Sequence, residues 1–206
     1  MATQWKAPDG GALDLDYFVD WRPWLWREPV HRAMTFLSPL SGRRILEIGG
    51  CAGKMTCFMA LQGAQVTMID KAESKSAPEE VRKWNVGDRV RLIRTDGGLE
   101  ALAGQTFDAI FTKSVLWSVE HLEDFLRQLN RLLAPGGQVA FVENYRGGPM
   151  LMWLRSQVIH RKQFGRENWY FGIRPDQLAI FRDIFQDVEV RRHRFLVYSI
   201  TGRKRS

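Results

Sequence analysis

Apolar positions along this chain fall into short blocks separated by glycine, proline and charge. Ile45, Leu46 and Ile48 make a β-prone run that ends directly on Gly49 and Gly50, with Gly53 three residues further on. That run predicts a buried strand. The glycines after it predict a tight turn whose backbone can fold back and approach a ligand with no Cβ in the way. Lys54 to Leu61 then reads as a helix stopped by Gly63, and Val66-Thr67-Met68-Ile69 reads as a second strand stopping on Asp70. A short helix follows, opened by Pro78-Glu79-Glu80, whose acids suit a helix N-terminus. Val90 to Ile93 is a third strand, Leu99 to Leu102 a short helix, and Phe107 to Phe111 a fourth strand. Leu122, Phe125, Leu126, Leu129 and Leu132 recur at helical spacing, giving a helix with one buried face that closes at Ala134-Pro135-Gly136-Gly137. Gln138 to Glu143 is the fifth strand. Strands alternating with helices in this way predict an α/β fold around a largely parallel sheet.

The flanks break the alternation. Residues 1–12 are read as lacking regular structure. Leu13 to Leu40 is rich in aromatics (Tyr17, Phe18, Trp21, Trp24, Trp26 and Phe36) and is interrupted by Pro23 and Pro29. Pro29 is expected to open a helix through Leu37, because proline is tolerated in a first turn. The segment is therefore expected as a helical cover, residues 1–40, lying across the ligand mouth or the sheet edge of a main domain, residues 41–206. Residues 147–172 form a second interruption. An apolar stripe there (Met150, Leu151, Leu154 and Val158, with Trp153 beside it) precedes a basic run at Arg161, Lys162 and Arg166. It is read as a lid or as an amphipathic helix covering the sheet. A further helix is expected from Arg174 through Phe185, then a hairpin of Asp187–Phe195 and Leu196–Gly202.

Spacing separates the motifs that a strand, glycine turn and helix could represent. A dinucleotide fingerprint starting at Gly49 needs glycine at 51 and glycine or alanine at 54, where the chain has Cys51 and Lys54. A P-loop ending in Gly53-Lys54 needs glycine in place of Ile48 and Ser or Thr in place of Met55. What fits is acidic, apolar, Gly, any, small, any, Gly, from Glu47 to Gly53. Together with Asp70, the Phe107-Asp108 strand and Leu133-Ala134-Pro135-Gly136-Gly137, this stretch resembles the class I S-adenosylmethionine (SAM)-dependent methyltransferases over about residues 42–145. Cys51 departs from the glycine that the family most often has there.

The resemblance implies a seven-stranded, mostly parallel, doubly wound sheet with helices on both faces and an antiparallel C-terminal hairpin. It implies SAM as cofactor. Gly49, Gly50, Cys51 and Gly53 would pass under it, Glu47 would hold its methionine ammonium, and Asp70 would accept both ribose hydroxyls, with Lys71 beside it. Asp96, next to Gly97, would take the adenine amino group, against the plainer reading of Asp96 as an Asx turn or helix cap. Lys113 and Ser114 would line the sulfonium end. Where many relatives carry histidines after the fourth strand, this chain has Trp117 and Ser118. His121, His31 and Glu143 are therefore the candidates for a general base, and Trp21, Trp117 and Trp153 for substrate contact.

Composition adds limits. The 206 residues, 45% hydrophobic, suit one domain with a full core. Cys51 and Cys57 match neither a zinc pattern nor a disulfide framework, so no metal is expected and a reducing cytoplasm is. The N-terminus lacks a basic-then-apolar leader pattern, and no apolar run is long enough to span a bilayer. The net charge of +7 is the one oddity, with arginines concentrated late in the chain. It is read as a solvated basic surface, a nucleic-acid partner or a peripheral membrane contact. The leading expectation is methyl transfer to an O or N atom of a small lipophilic or glycosylated metabolite. An RNA methyltransferase and a non-catalytic SAM-binding partner subunit stand as alternatives.

Overall fold

The computed structural model describes residues 5–6, 10–71, 76–96, 98–147 and 172–205. Gly97 and the expected lid from 148 to 171, with Trp153, lie outside the described residues. Seven strands form one sheet: β1 (Arg44–Ile48), β2 (Gln65–Asp70), β3 (Val90–Arg94), β4 (Phe107–Lys113), β5 (Leu133–Asn144), β6 (Phe185–His193) and β7 (Val197–Lys204). Their order is β3-β2-β1-β4-β5-β7-β6. The pairs from β3 to β5 are parallel, whereas β5–β7 and β7–β6 are antiparallel. This is the mostly parallel sheet with a C-terminal hairpin that the sequence predicts.

Alternation along the strands sorts side chains between two layers. Ile45, Val66, Phe111 and Val142 face α1 (Leu15–Val19), α2 (Pro23–Leu37) and α3 (Lys54–Leu61). Leu46, Ile110, Val139 and Phe141 face α5 (Leu122–Leu132) and α6 (Leu178–Ile184). A strand that buries both faces needs apolar residues at consecutive positions, as Ile45-Leu46 and Ala109-Ile110-Phe111 supply. The remaining helix, α4 (Ser76–Lys83), adds Val81 to the first layer.

Several local expectations change. Pro23, not Pro29, occupies the first turn of α2, and Pro29 lies buried inside it. The buried face Leu25, Trp26, Val30, Ala33, Met34 and Leu37 runs unbroken past Pro29, so packing holds the helix through a residue that cannot donate to the turn before it. This helix packs on β5 and β7, across a sheet face rather than the sheet edge. β5 begins at Leu133, which pairs with Phe107. The Pro-Gly-Gly is therefore a register slip within the strand, not its start. Residues 99–102 make a 3-10 turn at Glu100–Leu102, and a 3-10 turn at Pro175–Gln177 precedes α6. Trp5, expected in an unstructured end, is buried against His31 and Phe58, and Lys6 bridges Ala12. The hairpin turns over Arg194-Phe195-Leu196, with Arg194 and Phe195 at positive φ and the Leu196 N–H donating to His193 O at 3.0 Å. No helix among the described residues is long and apolar enough to cross a membrane.

Candidate active site

Strand order reverses between β1 and β4, and a cavity of about 1050 Å³ opens at the C-terminal ends of the parallel strands beside that point. In open α/β sheets this is where a ligand crevice forms. Its floor follows from the first strand and turn. Glu47 points to the same face as Ile45, toward α3, where it is buried and accepts a hydrogen bond from the Thr56 hydroxyl. The Gly49 N–H donates to Ile69 O at 2.8 Å, and the Gly53 N–H donates to Gly50 O at 2.8 Å, which closes the turn. Gly49 has φ +71°, and a Cβ on it would run into Val115. A Cβ on Gly50 would strike the Met68 side chain and stand 3.2 Å from the Glu47 carboxyl carbon. At the end of β2, Asp70 Oδ2 accepts from the Cys51 N–H at 2.8 Å, tying the turn to the second strand.

The cavity wall holds Glu47, Gly49, Gly50, Cys51, Asp70, Lys71, Lys113 and Ser114, together with Trp21, Trp117 and His121. Eleven of the residues singled out from the sequence thus meet in one place. Four do not line it. Gly53 caps α3 at φ +75°, close against Ala77. Asp96 is exposed and makes an Asx turn, accepting from the Gly98 N–H at 3.2 Å, while Thr95 and Leu99 reach the cavity instead. His31 packs edge-on to Trp5 at 6.2 Å between ring centres, away from the cavity wall. Glu143 is fully enclosed. It accepts from the Thr112 hydroxyl at 2.9 Å, the Val115 N–H at 3.0 Å and the Leu116 N–H at 3.2 Å, so it braces the loop after β4. A carboxylate spent on three internal donors and outside the cavity wall is not placed to take a proton from a substrate.

Other lining residues were not singled out. Asp124, Phe125 and Gln128 continue from His121 along one edge of α5 that faces the cavity. The signal was the i, i+3, i+4, i+7 spacing itself, which carried polar as well as apolar members. From the N-terminal helices come Phe18, Asp20 and Trp26.

Charge is concentrated on the floor. Burial pushes the Glu47 carboxyl up to about 7, against the hydrogen bond from Thr56 and the nearby Lys113, which favour ionisation. Burial also lowers the Lys113 ammonium, although Glu47 and Asp20 pull the other way. Lys113 Nζ donates to Val19 O at 2.8 Å and lies 5.7 Å from the Trp26 ring centre. Lys54 Nζ pairs with Asp20 at 2.7 Å. A buried carboxyl facing a cavity without full compensation suits a cationic ligand group, and a carboxylate at the strand end suits a diol. The residues present therefore fit the aminoacyl and ribose ends of SAM.

A family model for the methyltransferase domain matches residues 46–141. Over 188 residues the chain is 32% identical to a ubiquinone biosynthesis O-methyltransferase of Ruegeria pomeroyi, covering 86% of this chain and 75% of that protein. Over 139 residues it is 30% identical to a tRNA U34 carboxymethyltransferase of Pseudoalteromonas translucida, covering 66% of this chain but only 41% of that protein. The fold matches a Burkholderia thailandensis 1,6-didemethyltoxoflavin-N1-methyltransferase solved with bound 1,6-didemethyltoxoflavin and S-adenosylhomocysteine. That match has a TM-score of 0.63 and 19% identity over 86% of this chain and 79% of that one. With its sheet order, glycine turn and strand-end carboxylate, this chain belongs to the class I SAM-dependent methyltransferases.

Proposed function

We propose that the protein methylates an O or N atom of a small lipophilic metabolite. The observation that carries this reading is the number of aromatic residues lining the cavity, Phe18, Trp21, Trp26, Trp117 and Phe125. Aromatic walls bind by removing apolar surface from water, and they keep a reacting centre dry. SAM supplies a methyl on a sulfonium, with a neutral thioether as leaving group. The chain's own work is therefore to hold, orient and exclude water. Asp70 accepts the ribose hydroxyls, Glu47 holds the ammonium, and Lys113 and Ser114 shape the space at the end of β4. The Trp117 indole N–H donates to Ser114 O at 2.8 Å, which fixes the ring at the mouth. His121, at the start of α5, is the lining histidine and the candidate to take a proton from a hydroxyl acceptor. A neutral amine acceptor would need no base.

The ubiquinone relative supports a lipophilic acceptor and the toxoflavin enzyme a compact heterocycle. The carboxymethyltransferase of tRNA keeps an RNA acceptor as a second reading, with the net charge of +7 in its favour. The test is methyl transfer from SAM carrying a labelled methyl group to fractionated cell extract. Label in an organic-soluble small molecule, lost in Trp117→Ala, supports the proposal. Label in RNA, unaffected by Trp117→Ala, refutes it.

A further inference from the structure

The large hydrophobic side chains exposed among the described residues are Trp21, Trp24, Trp117 and Phe195. Their distribution is not random. Trp21 and Trp117 line the cavity. Phe195, 67% exposed, is at the tip of the β6–β7 hairpin. That tip lies at the cavity end of the sheet, because β7 pairs antiparallel with β5 from Asn144↔Val197 onward and β5 runs parallel to β4. Trp24, 54% exposed, is one turn before Glu28 on α2. Glu28 touches His193 at 3.2 Å and Arg191 at 3.4 Å, so that turn of α2 lies against the same hairpin end. All four aromatics therefore crowd the end of the molecule where the cavity opens.

Guanidinium groups stand among them. Arg22 lies over the Trp21 ring at 4.7 Å, and Arg192 lies over both Tyr145 and Phe195 at 5.0 and 4.8 Å. Arg194 is exposed at the hairpin tip. Of the acids nearby, Asp20 is held by Lys54 and Glu28 by Arg191 and His193, while the exposed Glu120 and Asp124 line the cavity on the α5 side, away from the hairpin tip. Exposed aromatics flanked by arginines are the composition of a surface that rests in a headgroup layer, with rings in the acyl boundary and cations on lipid phosphates. Neither Trp24 nor Phe195 is buried by packing against the described residues.

We propose that Trp24, Phe195, Arg192 and Arg194 form an interfacial seat that rests on an anionic lipid bilayer, turning the cavity mouth toward the membrane. The seat extends the lipophilic-acceptor reading above, since an acceptor dissolved in the bilayer would reach the cavity without crossing water. Its binding chemistry is nevertheless independent of which acceptor is methylated.

The experiment is flotation of the purified 206-residue chain with vesicles of phosphatidylcholine alone and of phosphatidylcholine mixed equally with phosphatidylglycerol. Wild type floats with the anionic vesicles and far less with the neutral ones. Trp24→Ser with Phe195→Asn lowers that partition about tenfold, and Arg192→Glu or Arg194→Glu lowers it roughly fivefold or more each. Asn suits the positive φ at 195, and none of the four residues lines the cavity, so affinity for S-adenosylhomocysteine stays unchanged and reports intact folding. Failure to float, equal flotation with neutral vesicles, or variants that float like wild type would each overturn the seat. Binding of bulk tRNA that is lost in the same variants, without flotation, would assign the surface to a polynucleotide. Flotation together with methylation of only polar, water-soluble acceptors would keep the seat and discard the lipophilic acceptor.

Discussion

Glu47 offers a test of the floor of the site that needs no substrate. Its carboxyl sits at about 7 against an ordinary 4.5, chiefly through burial. A folded-state value raised in this way contributes stability that is fully present below pH 4.5 and lost as pH rises through about 7. The displacement corresponds to on the order of 3 kcal/mol, carried by the free protein in alkaline buffer. A ligand ammonium set against Glu47 favours the ionised form, so binding draws a proton off. About one molecule in eleven is ionised at pH 6 and about ten in eleven at pH 8, so affinity for S-adenosylhomocysteine rises about tenfold between them. Calorimetry across this range, in buffers of different ionisation enthalpy, reads both the affinity and the released proton. In Glu47→Gln the amide still accepts from Thr56 but cannot ionise. Affinity becomes weaker and flat with pH, while the free protein gains stability at pH 8 relative to wild type. An unchanged pH slope in folded Glu47→Gln would refute the assignment of the ammonium to this carboxyl.

The other residues separate by assay. Glu143→Leu strips the acceptor from one hydroxyl and two amides and lowers unfolding stability by on the order of 3–5 kcal/mol, read by urea titration. Glu143→Gln keeps part of the brace, and its turnover stays within a few-fold of wild type. A folded Glu143→Gln without turnover would make Glu143 the base after all. His121→Ala lowers kcat on a hydroxyl acceptor by about 10²–10⁴ while leaving affinity for S-adenosylhomocysteine unchanged. Equal loss in both would mark His121 as structural. Asp96→Asn preserves the Asx turn to Gly98 and leaves cofactor affinity within about twofold of wild type by calorimetry. A large loss would place Asp96 on the adenine.

What was legible in the sequence was whatever depends on neighbours in the chain. β1, the glycine turn, α3 and β2 with Asp70 at its end could be read off because strand period, glycine and a terminal carboxylate all lie within 27 residues. The same local logic misplaced the start of α2. Pro23 and Pro29 look alike in a pattern, and only the continuous buried face on β5 and β7 shows which one lies inside the helix. The role of Glu143 was hidden for a related reason. Its donors Thr112, Val115 and Leu116 are about thirty residues away in sequence and arrive through the β4–β5 pairing. His31 looked equivalent to His121 as an unassigned histidine, and the packing of α2 onto the sheet separates the two. The polar members of the α5 edge, Asp124 and Gln128, share the helical spacing, but the pattern reads only through Phe125 and the leucines.

Binding of S-adenosylhomocysteine by wild type and by Asp70→Ala, measured by calorimetry, tests the site most directly. Asp70→Asn serves as a companion that retains an acceptor for the Cys51 N–H. Loss of a charged acceptor for two hydroxyls weakens binding by on the order of 2–3 kcal/mol in Asp70→Ala, with the protein still folded. Unchanged affinity in folded Asp70→Ala, or preference of wild type for NAD or ATP over S-adenosylhomocysteine, would contradict the cofactor site described here.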